Sequence, residues 1–113
     1  MLKKIALSAT FLSVLGACAA PPASPMEKHA RLAAGAELAA RQCAGALGGY
    51  DSVRQMKKDS SKNIAIAKKL GATQADIQKA RADTNNTFSV AAAFTNQREA
   101  CNALVGSLAW NVE

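Results

Sequence analysis

From Pro25 onward the apolar residues recur at intervals of three and four and never alternate strictly with polar ones. That spacing places them along one side of an α-helix and predicts an all-α domain. Ser24-Pro25-Met26-Glu27 is a helix start, with a serine cap, proline at the first position and glutamate at the third. The first helix is expected to reach Leu47 on a stripe of Leu32, Ala36, Ala39, Cys43 and Leu47, and to stop at Gly48-Gly49. Asp51 is expected to cap a second helix with an apolar face of Val53, Met56, Ile64, Ala67 and Leu70. Asp59-Ser60-Ser61 is placed to interrupt or kink that helix, and Gly71 to close it. Thr73-Gln74-Ala75-Asp76 has the shape of a capping box. The stripe that follows it is Ile77, Ala80, Thr84, Phe88, Ala91 and Phe94, weakened in the middle by the polar run Thr84-Asn85-Asn86-Thr87. Asn96 and Glu99 open a last helix carrying Cys101, Val105 and Leu108. The simplest architecture is a small bundle of three to four helices.

The segment before Pro25 follows a different pattern. Met1-Leu2-Lys3-Lys4 is a positive head, and Ile5 to Leu15 is an uncharged apolar run of eleven residues. A membrane-spanning helix needs about 20 such residues, so this run fits an export signal better than a permanent anchor. Leu15-Gly16-Ala17-Cys18, coming directly after it, resembles the lipobox of bacterial lipoproteins. The resemblance implies a signal peptide over 1–17 and a new N-terminus at Cys18. It also implies a thioether-linked diacylglycerol on that thiol and a further fatty acyl chain such as palmitate. Thiol chemistry suits the role, since sulfur is the most nucleophilic side chain open to alkylation. Each buried methylene contributes about 0.8 kcal/mol, so two or three chains hold a protein firmly to a leaflet. The other reading is ordinary secretion, with Ala17-Cys18-Ala19 as the cleavage site. Residues 18–24 form a short proline-stiffened tether, and 25–113 the helical domain. Ala19 stands where the lipoprotein sorting rule puts Asp for inner-membrane retention, which implies the periplasmic face of the outer membrane.

Composition changes this picture in one respect. Of the 113 residues, 26 are alanine, while Leu, Ile, Val and Phe supply 15 of the 96 residues from Cys18 onward. A core of that kind holds little apolar area, so a covalent cross-link matters more than usual. Three cysteines are odd for an exported chain; acylation of Cys18 leaves Cys43 and Cys101 as a pair. The periplasm is oxidising, and the two lie on the inner stripes of the first and last helices, so a disulfide is expected. The alternative is two buried free thiols.

Candidate chemistry is thin. His29, the single histidine, is expected on the solvated surface, with no second histidine to complete a metal site. Asp51, Asp59, Asp76 and Asp83 are scattered, and Gly45-Ala46-Leu47-Gly48-Gly49 lacks the lysine and hydroxyl of a phosphate-binding loop. No enzyme activity, metal or cofactor is expected. The formal net charge of +6 is unevenly spread: Arg54, Lys57, Lys58, Lys62, Lys68 and Lys69 crowd the second helix. They form a solvated face, a surface for anionic headgroups, or a docking face for an acidic partner protein. Basic residues do not interleave with aromatic ones, and the compartment argues against nucleic acid.

A short lipobox protein with an all-helical domain and cysteines in its first and last helices is similar to the pilotins of type II secretion. The run Ile64-Ala65-Ile66-Ala67-Lys68-Lys69-Leu70-Gly71 resembles that family's second-helix ending, although Ala72-Thr73 replaces the aromatic residue that often follows the glycine. The resemblance implies a small four-helix lipoprotein that clasps a segment of a secretin subunit and escorts it to the outer membrane. An apolar groove for such a segment would draw on Met56, Phe88, Phe94 and Trp110. The expected function is therefore protein binding in the periplasm, as an adaptor or escort. The alternatives are an inhibitor, immunity or conjugation-exclusion lipoprotein, and a structural envelope lipoprotein.

Overall fold

The computed structural model describes residues 24–109, so the leader, Cys18, most of the tether and Trp110 lie outside the described residues. The described chain forms α1 (Pro25–Gln42), α2 (Ala44–Leu47), α3 (Tyr50–Lys69), α4 (Gln74–Phe94) and α5 (Gln97–Ala109). The all-α expectation holds, but the described residues carry five helices rather than three or four. The extra element comes from Cys43, whose φ of −118° and ψ of 26° break the first helix five residues before its expected end at Leu47. A single turn, α2, follows before Gly48 and Gly49 turn the chain at φ of 88° and 134°. These positive values suit glycine, which lacks the Cβ that would clash there.

The caps decide where the other helices begin. Ser24 Oγ accepts from the Glu27 amide at 3.2 Å. Thr73 and Asp76 form the expected reciprocal box, with Thr73 Oγ1 accepting from the Asp76 amide and the Asp76 carboxylate accepting from the Thr73 amide. Asn96 Oδ1 accepts from the Glu99 amide at 2.9 Å. Asp51 does not cap α3; Gly49 holds that position and Asp51 falls in the first turn, where its charge still favours the helix N-terminus.

Asp59-Ser60-Ser61 neither kinks nor interrupts α3. Ser60 is buried, and its hydroxyl donates to the Ala33 carbonyl of α1 at 2.9 Å, so the serine joins two helices instead of breaking one. The polar run Thr84–Thr87 likewise stays helical inside α4.

Helix α1 is the hub. The expected stripe of five residues understates its burial, because Ala30, Ala33, Ala34, Gly35, Ala36, Leu38, Ala39 and Ala40 are all buried. α3 packs most extensively on it, followed by α4 and α5. Small side chains make this possible, because a methyl group lets a neighbouring backbone approach where a leucine would hold it off. Near the start of α1, Ala30 and Ala34 cluster with Ala67 of α3 and Ile77 and Ala80 of α4. Near its end, Leu38, Ala39 and Cys43 cluster with Phe88, Ala100 and Cys101. These pairings run α3 and α5 antiparallel to α1, and α4 parallel to it.

Gly35 is where α5 crosses α1. A Cβ placed there would lie 3.1 Å from Leu108 Cδ2 and 3.7 Å from Leu104 Cδ1. Gly35→Val is therefore expected to force α5 outward and cost about 1–3 kcal/mol, read from urea unfolding of the oxidised protein. An unchanged midpoint would show that α5 does not seat on that glycine.

The backbone and hydroxyl hydrogen bonds from Thr73 hold the Asp76 carboxyl below the usual aspartate range. The capping box therefore stabilises α4 fully above the unfolded-state pKa of about 3.9, and loses its effect as pH falls through the lower folded-state value. Thermal unfolding followed below pH 4 should show a shallower acid loss in Asp76→Asn than in the parent chain.

Candidate functional site

Cys43 and Cys101 are joined as expected, with Cα atoms 5.4 Å apart and a sequence separation of 58. Both sulfurs lie inside the cluster at the far end of α1. The break at Cys43 sits at the point where the first helix hands its chain to the cross-link. Closing a loop of this size stabilises the fold by roughly 4 kcal/mol in the chain-entropy account. Cys18, the expected lipidation site, lies outside the described residues.

The six cations singled out in the sequence all belong to α3, and all are exposed. At 3.6 residues per turn they fall on one arc of about 140°, on the side away from Val53, Met56, Ser60, Ile64 and Ala67. Arg54 lies 3.7 Å from Asp51, and its guanidinium stands 5.8 Å from the centre of the Tyr50 ring. Among the described residues no carboxylate comes within 4.0 Å of Lys57, Lys58, Lys62, Lys68 or Lys69. Asp59, the second carboxylate of the helix, accepts instead from Gln55 Nε2 at 3.0 Å. Elsewhere the cations divide: Lys28, Arg41 and Arg98 also have no carboxylate within 4.0 Å among the described residues, while three others are paired. Arg31 pairs with Glu27, Lys79 with Asp83, and Arg81 of α4 reaches Glu37 of α1 at 3.1 Å. Contact with Asp83 also raises the Lys79 ammonium above its ordinary pKa. Unneutralised lysine is thus concentrated on α3.

His29 is not a solvated surface residue. Its Nδ1 lies 2.8 Å from Asn63 Oδ1 and ties α1 to α3. Asn63 Nδ2 donates to the Asp59 carbonyl at 2.9 Å, which orients the amide so that Oδ1 faces the ring. Nδ1 therefore carries the proton. A shallow depression between the starts of α1 and α4 is lined by Glu27, Arg31, Asp76, Lys79 and Asp83. Its charged groups are engaged in the pairs already described. No three His, Cys, Asp or Glu residues converge on a metal site among the described residues. No described helix is long and apolar enough to cross a membrane.

The residues expected to line a groove are not brought together. Phe88 is buried in the cluster around the disulfide, Met56 is half-buried on α3, and Trp110 lies outside the described residues. Phe94, expected on the inner stripe of α4, is instead 86% exposed. The cause is length: α4 continues beyond Phe88, the residue that meets the end of α1. Val90, one turn before Phe94, is also exposed. Tyr50, which sequence reasoning passed over, is 77% exposed at the start of α3. A large apolar residue directly after a glycine doublet was the available signal. Tyr50 and Phe94 both occupy the end of the bundle that holds the disulfide, opposite the end where the tether joins.

Set against known proteins, the chain matches no family model, no curated protein and no solved structure.

Replacing both cysteines (Cys43→Ala with Cys101→Ala) is expected to lower stability by about 4 kcal/mol, to the margin of folding. Circular dichroism during denaturation of oxidised, reduced and variant protein checks this. Equal midpoints would remove the cross-link from its place in the fold.

Proposed function

We propose that the protein is a lipoprotein of the cell envelope, anchored through acyl chains on Cys18 at the periplasmic face of the outer membrane, and that it acts by binding a partner protein as an adaptor or escort. One observation carries the binding half of this reading: Phe94 and Val90 lie exposed, one helical turn apart, at the end of the bundle remote from the tether. An apolar aromatic in water is a cost unless something covers it, and exposed aromatics concentrate where proteins meet. The lipobox sequence Leu15-Gly16-Ala17-Cys18 supports the anchoring half. The disulfide fits an oxidising compartment.

On this reading the tether fixes one end of a cross-linked bundle near the leaflet, and the opposite end offers Phe94 and Val90 to the partner. The bundle's contribution is position and a preformed contact surface, which lowers the ordering cost of association.

A photo-crosslinking amino acid at position 94 is expected to capture one stoichiometric partner in intact cells, whereas the same probe at Gln78, exposed in the second turn of α4, captures none. Phe94→Ala should abolish capture from a probe at Val90 while shifting stability by less than about 0.5 kcal/mol, because its side chain is mostly in water. Identical adducts from positions 94 and 78 would overturn the binding end. The intact mass of the purified protein tests the anchor independently: a chain beginning at an acylated Cys18 is expected, and an unmodified thiol there would end that half of the reading.

A further inference from the structure

We propose that the lysine face of α3 lies against anionic phospholipid headgroups of the leaflet to which the protein is tethered; this rests on the reading of Cys18 as the anchor. Three observations converge on it. The first is charge. Lys57, Lys58, Lys62, Lys68 and Lys69 share one exposed arc with no carboxylate in ion-pair reach among the described residues, while Arg31, Lys79 and Arg81 are each neutralised. Such a face carries a field outward, and that field is felt within a Debye length of about 8 Å.

The second is position. Ser24 begins α1, and the first turns of α1 are fixed to the last turns of α3 by the His29–Asn63 hydrogen bond and by Ala30 and Ala34 against Ala67. Lys68 and Lys69 therefore sit at the tether's end of the bundle. Ser24 lies six positions after Cys18, a reach of at most about 20 Å when fully extended. A helix of 20 residues is about 30 Å long, so the near end of the face is held within contact range of the leaflet and the whole face meets it when the bundle lies down.

The third is residue type. Five of the six cations are lysine, and the single arginine is engaged with Asp51 and Tyr50. Lysine is a compact, strongly hydrated point charge on a flexible stem, suited to a diffuse and wet layer of phosphates. Docking to defined carboxylates of a protein favours the planar fork of arginine. Tyr50, exposed on the same arc at the opposite end of the helix, is a residue type that settles at the headgroup level.

The test is lysine accessibility. The protein as produced in its host is placed on phosphatidylcholine vesicles with and without phosphatidylglycerol, labelled with an amine-reactive ester, and read by peptide mass spectrometry. Lys57, Lys58, Lys62 and Lys68 are expected to label about threefold or more slowly on the anionic vesicles, and high salt should abolish the difference. Lys79 on α4 serves as the reference and should label equally on both. Lys58→Glu with Lys62→Glu, both on exposed helix surface, should remove the protection of Lys57 and Lys68 without loss of helix. Equal labelling of α3 on both vesicles overturns the proposal. Protection seen only in native envelopes assigns the face to an acidic protein and also overturns it. Should the intact mass show an unmodified Cys18, the anchor fails by itself. The vesicle comparison then still decides the face: recruitment to anionic vesicles alone upholds it, and no recruitment overturns it.

Discussion

A helix whose buried side chains are largely alanine, and which is buried on several sides, has a particular energetic problem. Each buried methyl removes little surface from water, and the hydrophobic contribution scales with that surface at about 25 cal/mol per Å². α1 is such a helix, and the largest fully buried side chains among the described residues are its Leu38 and the Cys43 that follows its last turn. The packing of α3, α4 and α5 around it is close because alanine is small, and weak per residue for the same reason. Stability must then come from terms that do not scale with side-chain size. The disulfide between Cys43 and Cys101 is the largest of these, since it acts on the entropy of the unfolded chain. Helix caps and the Ser60 hydroxyl bond to the Ala33 carbonyl add smaller amounts.

The two clusters along α1 give the molecule two different ends. Around Ala30 and Ala34 the contacts are small and apolar, and His29 and Ser60 add hydrogen bonds between α1 and α3. Around Cys43 the larger groups collect: Leu38, Phe88 and the cross-link. The second end is covalently closed and firm, and it is also the end from which Phe94 and Tyr50 project.

Much of this architecture was legible in the sequence, because its signals were local. Three of the predicted helix starts rest on side chains that do cap: Ser24, Thr73 with Asp76, and Asn96. Helix existence followed from spacing, and the cysteine pairing from parity and compartment. What sequence left out was tertiary. Nothing local reveals that α1 is buried on several faces, because alanine fits a surface as readily as a core. Ser60 looked like a helix breaker because its partner, the Ala33 carbonyl, lies 27 residues away. His29 looked solvated for the same reason, with Asn63 across the interface. Phe94 keeps the period of the inner stripe yet lies exposed, since periodicity cannot show where a neighbouring helix ends. The lysine arc of α3 was visible as composition; its freedom from carboxylates needed three dimensions.

The cross-link also bears on how the chain is made. Under the export proposed above, residue 43 would cross the inner membrane well before residue 101, and oxidation would wait until the opening turns of α5 had crossed. During that interval a third thiol at Cys18 would be a competitor, giving three possible pairings of which one is native. Blocking that sulfur by alkylation leaves a single way to close the loop. Lipid attachment would then serve as a proofreading step for oxidative maturation as well as a mooring.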